Sequence, residues 1–160
     1  MNIAIGECLG TGAAINVCCG FIPDFVYLIQ PENTEKVHLW HRAMAQITLC
    51  DEGIDMGDGS DAMEPLAANG LAEYAGGDEI IYDLAQTRWE NSAGANVEQV
   101  YVDGANIKGA SGADYVCIGD VLVPSNERKN NVKIKTPKGF RVGTSVQTIS
   151  QVLCWVAIGK

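Results

Sequence analysis

Apolar residues fall along this chain in short runs, separated by clusters of Gly, Pro, Asp and Asn. Phe25-Val26-Tyr27-Leu28-Ile29 is continuously apolar, which predicts a strand covered on both faces. Lys36 to Arg42 alternates, with Val37 and Leu39 on one side and His38 and Trp40 on the other. The Pro31-Glu32-Asn33-Thr34-Glu35 cluster between them completes a hairpin pattern. The same reading predicts strands at Ala13 to Phe21, Glu79 to Leu84, Glu98 to Asp103 and Ala113 to Val123. The first ends at Gly20, and Asp103-Gly104 makes a tight turn. Val132 to Thr136 alternates cleanly, so one of its faces is wet. Ser150 to Ile158 is apolar on both faces and belongs in a sheet centre.

Residues 1–12, MNIAIGECLGTG, are small and glycine-rich and predict an N-terminal arm or a first edge strand. Residues 51–77 are acidic and glycine-rich. They predict a long excursion loop with one helical turn in the Ala/Leu patch from Met63 to Tyr74. No stretch holds a helical period long enough for an amphipathic helix. The prediction is therefore an all-β fold: a β-sandwich or jelly-roll-like barrel over residues 13–160, preceded by the arm at 1–12 and carrying the long acidic glycine-rich loop.

Composition narrows the functional classes. The chain has 160 residues, which fits one domain, and 47% hydrophobic against 19% charged residues excludes a disordered chain. The net charge of −9 argues against a nucleic-acid binder, which needs a basic face to displace counterions from phosphate. The one basic run, Arg128, Lys129, Lys133, Lys135 and Lys138, interleaves with strand residues and reads as a solvated strand face. Ala13 to Ile29 is broken by Gly20, Pro23 and Asp24, so it is not a membrane span. The first basic side chain is Lys36, so no charged leader region is expected. Six cysteines, at 8, 18, 19, 50, 117 and 154, lie mostly in apolar runs without a C-x-x-C pair and read as buried thiols.

The motifs of catalysis are sparse. Gly10-Thr11-Gly12 begins a dinucleotide fingerprint but lacks its third glycine and a following helix. Neither a Walker phosphate loop nor a G-x-S-x-G elbow occurs. His38 and His41, the two histidines, point to opposite faces of one extended run and do not serve a common centre. Asp51, Glu52, Asp55, Asp58 and Asp61 offer oxygen ligands for calcium, but their spacing departs from an EF-hand frame and reads better as a solvated acidic loop. No enzyme activity and no cofactor are expected.

Two segments carry a resemblance. Gly20, Phe21, Pro23 and Val26 spell GF-x-P-x-x-V, followed by a strand bearing Trp40 and ending near Met44. Gly139, Phe140 and Gly143 spell a GF-x-V-G turn before a last strand ending in Trp155-x-Ala157. Together, residues 10–44 and 139–160 resemble the opening and closing strands of small structural proteins of tailed bacteriophages. The resemblance implies a virion component on the capsid surface, made in the host cytoplasm: a capsid decoration or cement protein bridging capsomers. Its implied partners are the major capsid protein and further copies of itself, a trimer being favoured. A tail or baseplate component and a carbohydrate-binding sandwich are the alternatives, the latter using Trp89, Glu90, Asn91 and Asn96. Such a protein holds its partner through aromatic and arginine anchors, and the candidates are Trp89, Trp40, Tyr74 and Arg88. Trp155, in the most apolar run, is expected in the core.

Overall fold

The computed structural model describes residues 1–32, 36–57, 62–83, 85, 88–97, 114–117 and 132–160. Its strands are β1 (Asn2–Leu9), β2 (Ile15–Cys18), β3 (Phe25–Gln30), β4 (Lys36–His41), β5 (Ile54–Asp55), β6 (Glu64–Pro65), β7 (Leu71–Tyr74), β8 (Glu79–Asp83), β9 (Arg88–Asn91), β10 (Asn96–Val97), β11 (Asp114–Cys117), β12 (Val132–Lys135), β13 (Gly139–Val142) and β14 (Val152–Gly159). Two short 3-10 turns, Arg42–Gln46 and Thr144–Val146, are the only helical segments among the described residues. The all-β expectation holds. The predicted strand at Glu98 to Asp103, its Asp103-Gly104 turn, and Arg128 and Lys129 lie outside the described residues.

The strands form three sheets. One has the order β1-β14-β3-β4-β5-β6, the second β11-β2-β13-β7 and the third β10-β9-β8-β12. Alternation along each strand explains the layering. In β14 every second residue is buried, so Leu153, Trp155 and Ala157 enter the interior. They meet Val26 and Leu28 of β3, Trp40 of β4, and Ile15, Val17, Phe140, Val142 and Leu71 of the second sheet. Phe140 and Trp155 pack edge to face with centroids 5.4 Å apart. The other face of the second sheet is covered as well. Cys18 and Tyr115 pack with Ile80 of the third sheet, flanked by Trp89 and Ile134. The second sheet is thus a middle layer, apolar on both sides.

The two ends of the chain build this arrangement together. β1 pairs antiparallel with β14, and β2 with β13, so one two-stranded ribbon crosses from the first sheet to the second, the device of a jelly roll. Its corner is held by Gln147. This side chain accepts from the backbone N–H groups of Thr11 and Gly12 and donates to the carbonyls of Ala13 and Gly143. Two motif glycines serve close backbone approach: a Cβ on Gly139 would lie 1.7 Å from the Val17 carbonyl oxygen, and one on Gly143 would lie 2.2 Å from that of Asn69.

Of the two readings of residues 1–12, an arm or a first edge strand, residues 2–9 take the second, since all eight pair with β14 at the edge of the first sheet. The period-two alternation of Ile3 and Ile5 with Asn2, Ala4 and Gly6 carries that strand. Within 51–77 the described residues include the short strands β5, β6 and β7, residues 58–61 lie outside the described residues, and the patch from Met63 to Tyr74 holds no helical turn. It carries β6 and then β7, which pairs with β13 and sends Leu71 into the core. Glu52 fixes the bend before β7 by accepting the Gly70 N–H at 2.7 Å.

Candidate interaction surface

The register of the first sheet defines its outer face. Ile5, Val156, Tyr27, Leu39 and Ile54 form one cross-strand row. Ile3, Ile158, Phe25 and His41 form a second, and Glu7, Cys154, Ile29 and Val37 a third. An antiparallel sheet with one wet face normally alternates apolar with polar residues. Here both sides of β3 and β14 are apolar, and the only ionisable side chains in the three rows besides the Tyr27 phenol and Cys154 thiol are Glu7 and His41. Most row members are half-buried, whereas Ile3 and Ile5 are 58% and 70% exposed. A concavity of about 540 Å³ is lined by Ile5, Gly6, Glu7, Tyr27, Ile29, Cys154, Trp155 and Val156 together with Val116 of the second sheet.

The anchors predicted from sequence do not gather there. Trp40 is a correction: it is 1% exposed, lies in the core beside Val26, and its indole N–H donates to the Asp51 carbonyl at 3.0 Å. It is unable to reach a partner. The alternation of β4 offered two amphipathic faces, and His38 on the same side as Trp40 made that side look wet. Trp155 is in the core as expected. Trp89 is half-buried on β9, edge-on to Tyr82 with centroids 5.3 Å apart, so part of its ring is spent inside the molecule. Arg88, beside it, is closed onto Glu90 at 2.6 Å. Tyr74 sits elsewhere, at the joint between the second and third sheets. Its hydroxyl donates to Asp78 at 2.9 Å and meets the Thr136 hydroxyl at 2.5 Å. Tyr115 donates to the same Asp78 oxygen. Burial, followed for Tyr115 by the Asp78 hydrogen bond, pushes both phenols well above their ordinary range. The pair is a structural clasp.

His38 and His41 face opposite sides, as expected: His38 is buried and His41 exposed. His38 belongs to a polar chain inside the sandwich that sequence reasoning missed. Thr148 donates to Gln30 Oε1 at 3.1 Å, and Gln30 Nε2 lies 3.1 Å from His38 Nε2. The amide therefore donates to the ring, which places the ring proton on Nδ1. That nitrogen looks toward Asp55 Oδ1 at 3.8 Å, beyond hydrogen-bond reach. Burial lowers the His38 pKa, and the nearby Asp55 carboxylate partly offsets this.

Of the proposed calcium ligands, Glu52 is engaged with Gly70 and Asp55 accepts the Gly57 N–H at 2.9 Å. Asp58 and Asp61 lie outside the described residues, and no group of three metal-ligating side chains occurs among those described. Lys133 and Lys135 stand on the exposed side of β12, Lys133 bound to Glu79 at 2.9 Å. Cys8 is a buried thiol, and Cys19, Cys50 and Cys154 are half-buried thiols. No helix among the described residues is long and apolar enough to cross a membrane.

Comparison with known protein families, curated proteins and solved structures finds no match to this chain.

Proposed function

We propose that this chain is a non-enzymatic structural protein of a phage particle, a capsid decoration protein that docks on the major capsid protein. The observation that carries the reading is the outer face of the first sheet: three largely apolar cross-strand rows, two of them ending in the exposed Ile3 and Ile5 and the third in Glu7. Contiguous apolar surface of this kind marks a protein-binding site. The net charge of −9 accords with the same reading, since it keeps the unassembled protein soluble. The resemblance at the two ends adds to it, and its motif glycines have a structural reason here. Gly20 adopts a left-handed turn at φ +90°, and Gly139 allows β13 to lie against β2. In this reading the chain acts as a homo-oligomer on the outside of the head, contacting neither nucleic acid nor membrane.

The test is particle composition. Phage particles purified by density gradient from a culture expressing the chain should contain it at a fixed stoichiometry to the major capsid protein, and a tagged copy should decorate heads under negative stain. Label confined to the tail would replace the decoration role with the tail or baseplate one. Absence of the chain from washed particles would end the virion reading altogether.

A further inference from the structure

Among the described strands, the outer edge of β1 between Ile3 and Glu7 stands out. β1 pairs with β14 on one side, and no described strand pairs with the other. The hydrogen-bond phase identifies the groups left over. Gly10 N–H donates to the Gln151 carbonyl, and Asp24 N–H to that of Ile158. Even-numbered β1 residues therefore bond to β14, and the N–H and C=O groups of Ile3, Ile5 and Glu7 point outward. Natural edge strands block such pairing with lysines, prolines, bulges or short length. β1 is eight residues long, lacks all three residue-level devices and carries one charge, Glu7.

We infer that β1 pairs antiparallel with β1 of a second copy, about a two-fold axis at Ala4. The inference deepens the proposed assembly role by naming the self-contact, and its test does not depend on any virus particle. The strand is complementary to itself in one register. With Ala4 opposite Ala4, Ile3 faces Ile5 of the second copy and Ile5 faces Ile3, giving two apolar pairs from the most exposed isoleucines of the strand. The two Glu7 carboxylates then stand six positions apart, about 20 Å along the strands and beyond a Debye length of about 8 Å. Moving the axis to Ile5 would set each Ile3 against a Glu7, and moving it to Ile3 would lose the Ile3–Ile5 pairs. On the inner side the small residues Asn2, Ala4 and Gly6 permit close approach. The hydrogen-bond parity agrees: outward-bonding Ile3 and Ile5 form the hydrogen-bonded pairs, and Ala4 the non-bonded pair on the axis. Such a contact is isologous and closes at two copies, which replaces the trimer expected from resemblance.

Sedimentation velocity on the full chain tests the contact, with samples up to about 100 μM to capture a dimer of that affinity. The wild type should sediment at about twice the 17.1 kDa chain mass. Ile5→Lys changes a surface side chain and should give a monomer with an unaltered circular dichroism spectrum and melting curve. Ala4→Cys should form a covalent dimer under mild oxidation, because residues on the axis of a non-bonded pair lie about 4.5 Å apart at Cα, within disulfide range. Ile5→Cys and the wild type should not. A monomeric wild type, or a wild-type dimer that survives Ile5→Lys, overturns the proposal. A dimer in which Ile5→Cys crosslinks and Ala4→Cys does not overturns the register.

Discussion

Lowering the pH should destabilise this protein through His38, and the size of the loss follows from where the ring sits. His38 is fully buried between Gln30 and Asp55 and holds one proton, on Nδ1. Burial lowers its pKa in the folded chain, while the unfolded chain has the ordinary value of about 6.5. Above that value both states carry a neutral ring, and the group contributes nothing to the pH dependence. Below it the unfolded state binds a proton that the folded state refuses, so stability falls as pH falls. The slope approaches about 1.4 kcal/mol per pH unit for one proton, and ends once the folded ring also protonates. Between pH 6.5 and 5 the loss reaches at most about 2 kcal/mol, a sizeable part of the 5–15 kcal/mol typical of a domain. Urea unfolding followed by tryptophan fluorescence at intervals from pH 8 to pH 5 measures it. His38→Gln retains an amide for Gln30 and cannot titrate, so the wild-type minus variant difference isolates the ring from the carboxylates. Asp55→Asn removes the charge that partly supports the imidazolium and should carry the loss to lower pH. A wild-type minus His38→Gln difference that stays constant from pH 8 to pH 5 would refute the assignment.

Gly139→Ala should cost about 3 kcal/mol, the upper end for overpacking, because its methyl meets the Val17 backbone oxygen and no side-chain rotation relieves it. Gly20→Ala is the comparison: nothing lies within 4 Å of the new Cβ, so only the left-handed backbone is penalised, at about 1 kcal/mol; equal losses in denaturant unfolding would contradict this. Cys8, buried and with its thiol pKa pushed up to about 12, should resist iodoacetamide in the folded protein and react once unfolded. Peptide mass mapping that finds Cys8 alkylated under native conditions as fast as Cys50 would count against its burial.

Much of the sandwich was legible because its central strands repeat every second residue. β3, β4, β8 and β14 follow from alternation or from continuous apolar runs bounded by turn residues. β7 was not legible. Leu71-Ala72-Glu73-Tyr74 has the composition of a helical turn, and only its long-range pairing with β13 makes it a strand. The third layer was hidden for a related reason. Cys18 follows the core residue Val17 and looks like more of the same core, but neighbouring residues of a strand face opposite ways. That pair is what makes the second sheet two-sided. The interaction surface was half legible: the two-sided apolar character of β3 and β14 is plain in sequence. Whether the second side meets another sheet or the outside depends on layer order, which is a property of the fold. Trp40 was misplaced for the same reason. An indole with polar residues close by, such as Trp40 next to His41 and two residues from His38, has no local mark that says which side is interior.

The layer order also explains how the proposed self-contact and the proposed docking face coexist. The middle sheet is covered by the first sheet on one side and the third on the other, so its apolar residues are consumed inside the molecule. The first sheet lends one face to that core, and no described strand covers the other. Pairing through β1 uses main-chain groups at the edge and the flanks of Ile3 and Ile5, and does not involve the row through Val156, Tyr27 and Leu39. Edge pairing extends a sheet sideways, so two outer faces would become one continuous twisted surface about twice as wide. A dimer built this way offers two copies of the same apolar face to a partner, and the second binding event becomes intramolecular. Weak single contacts then suffice for firm attachment, which suits a chain that commits two of its indoles, Trp40 and Trp155, to its own core.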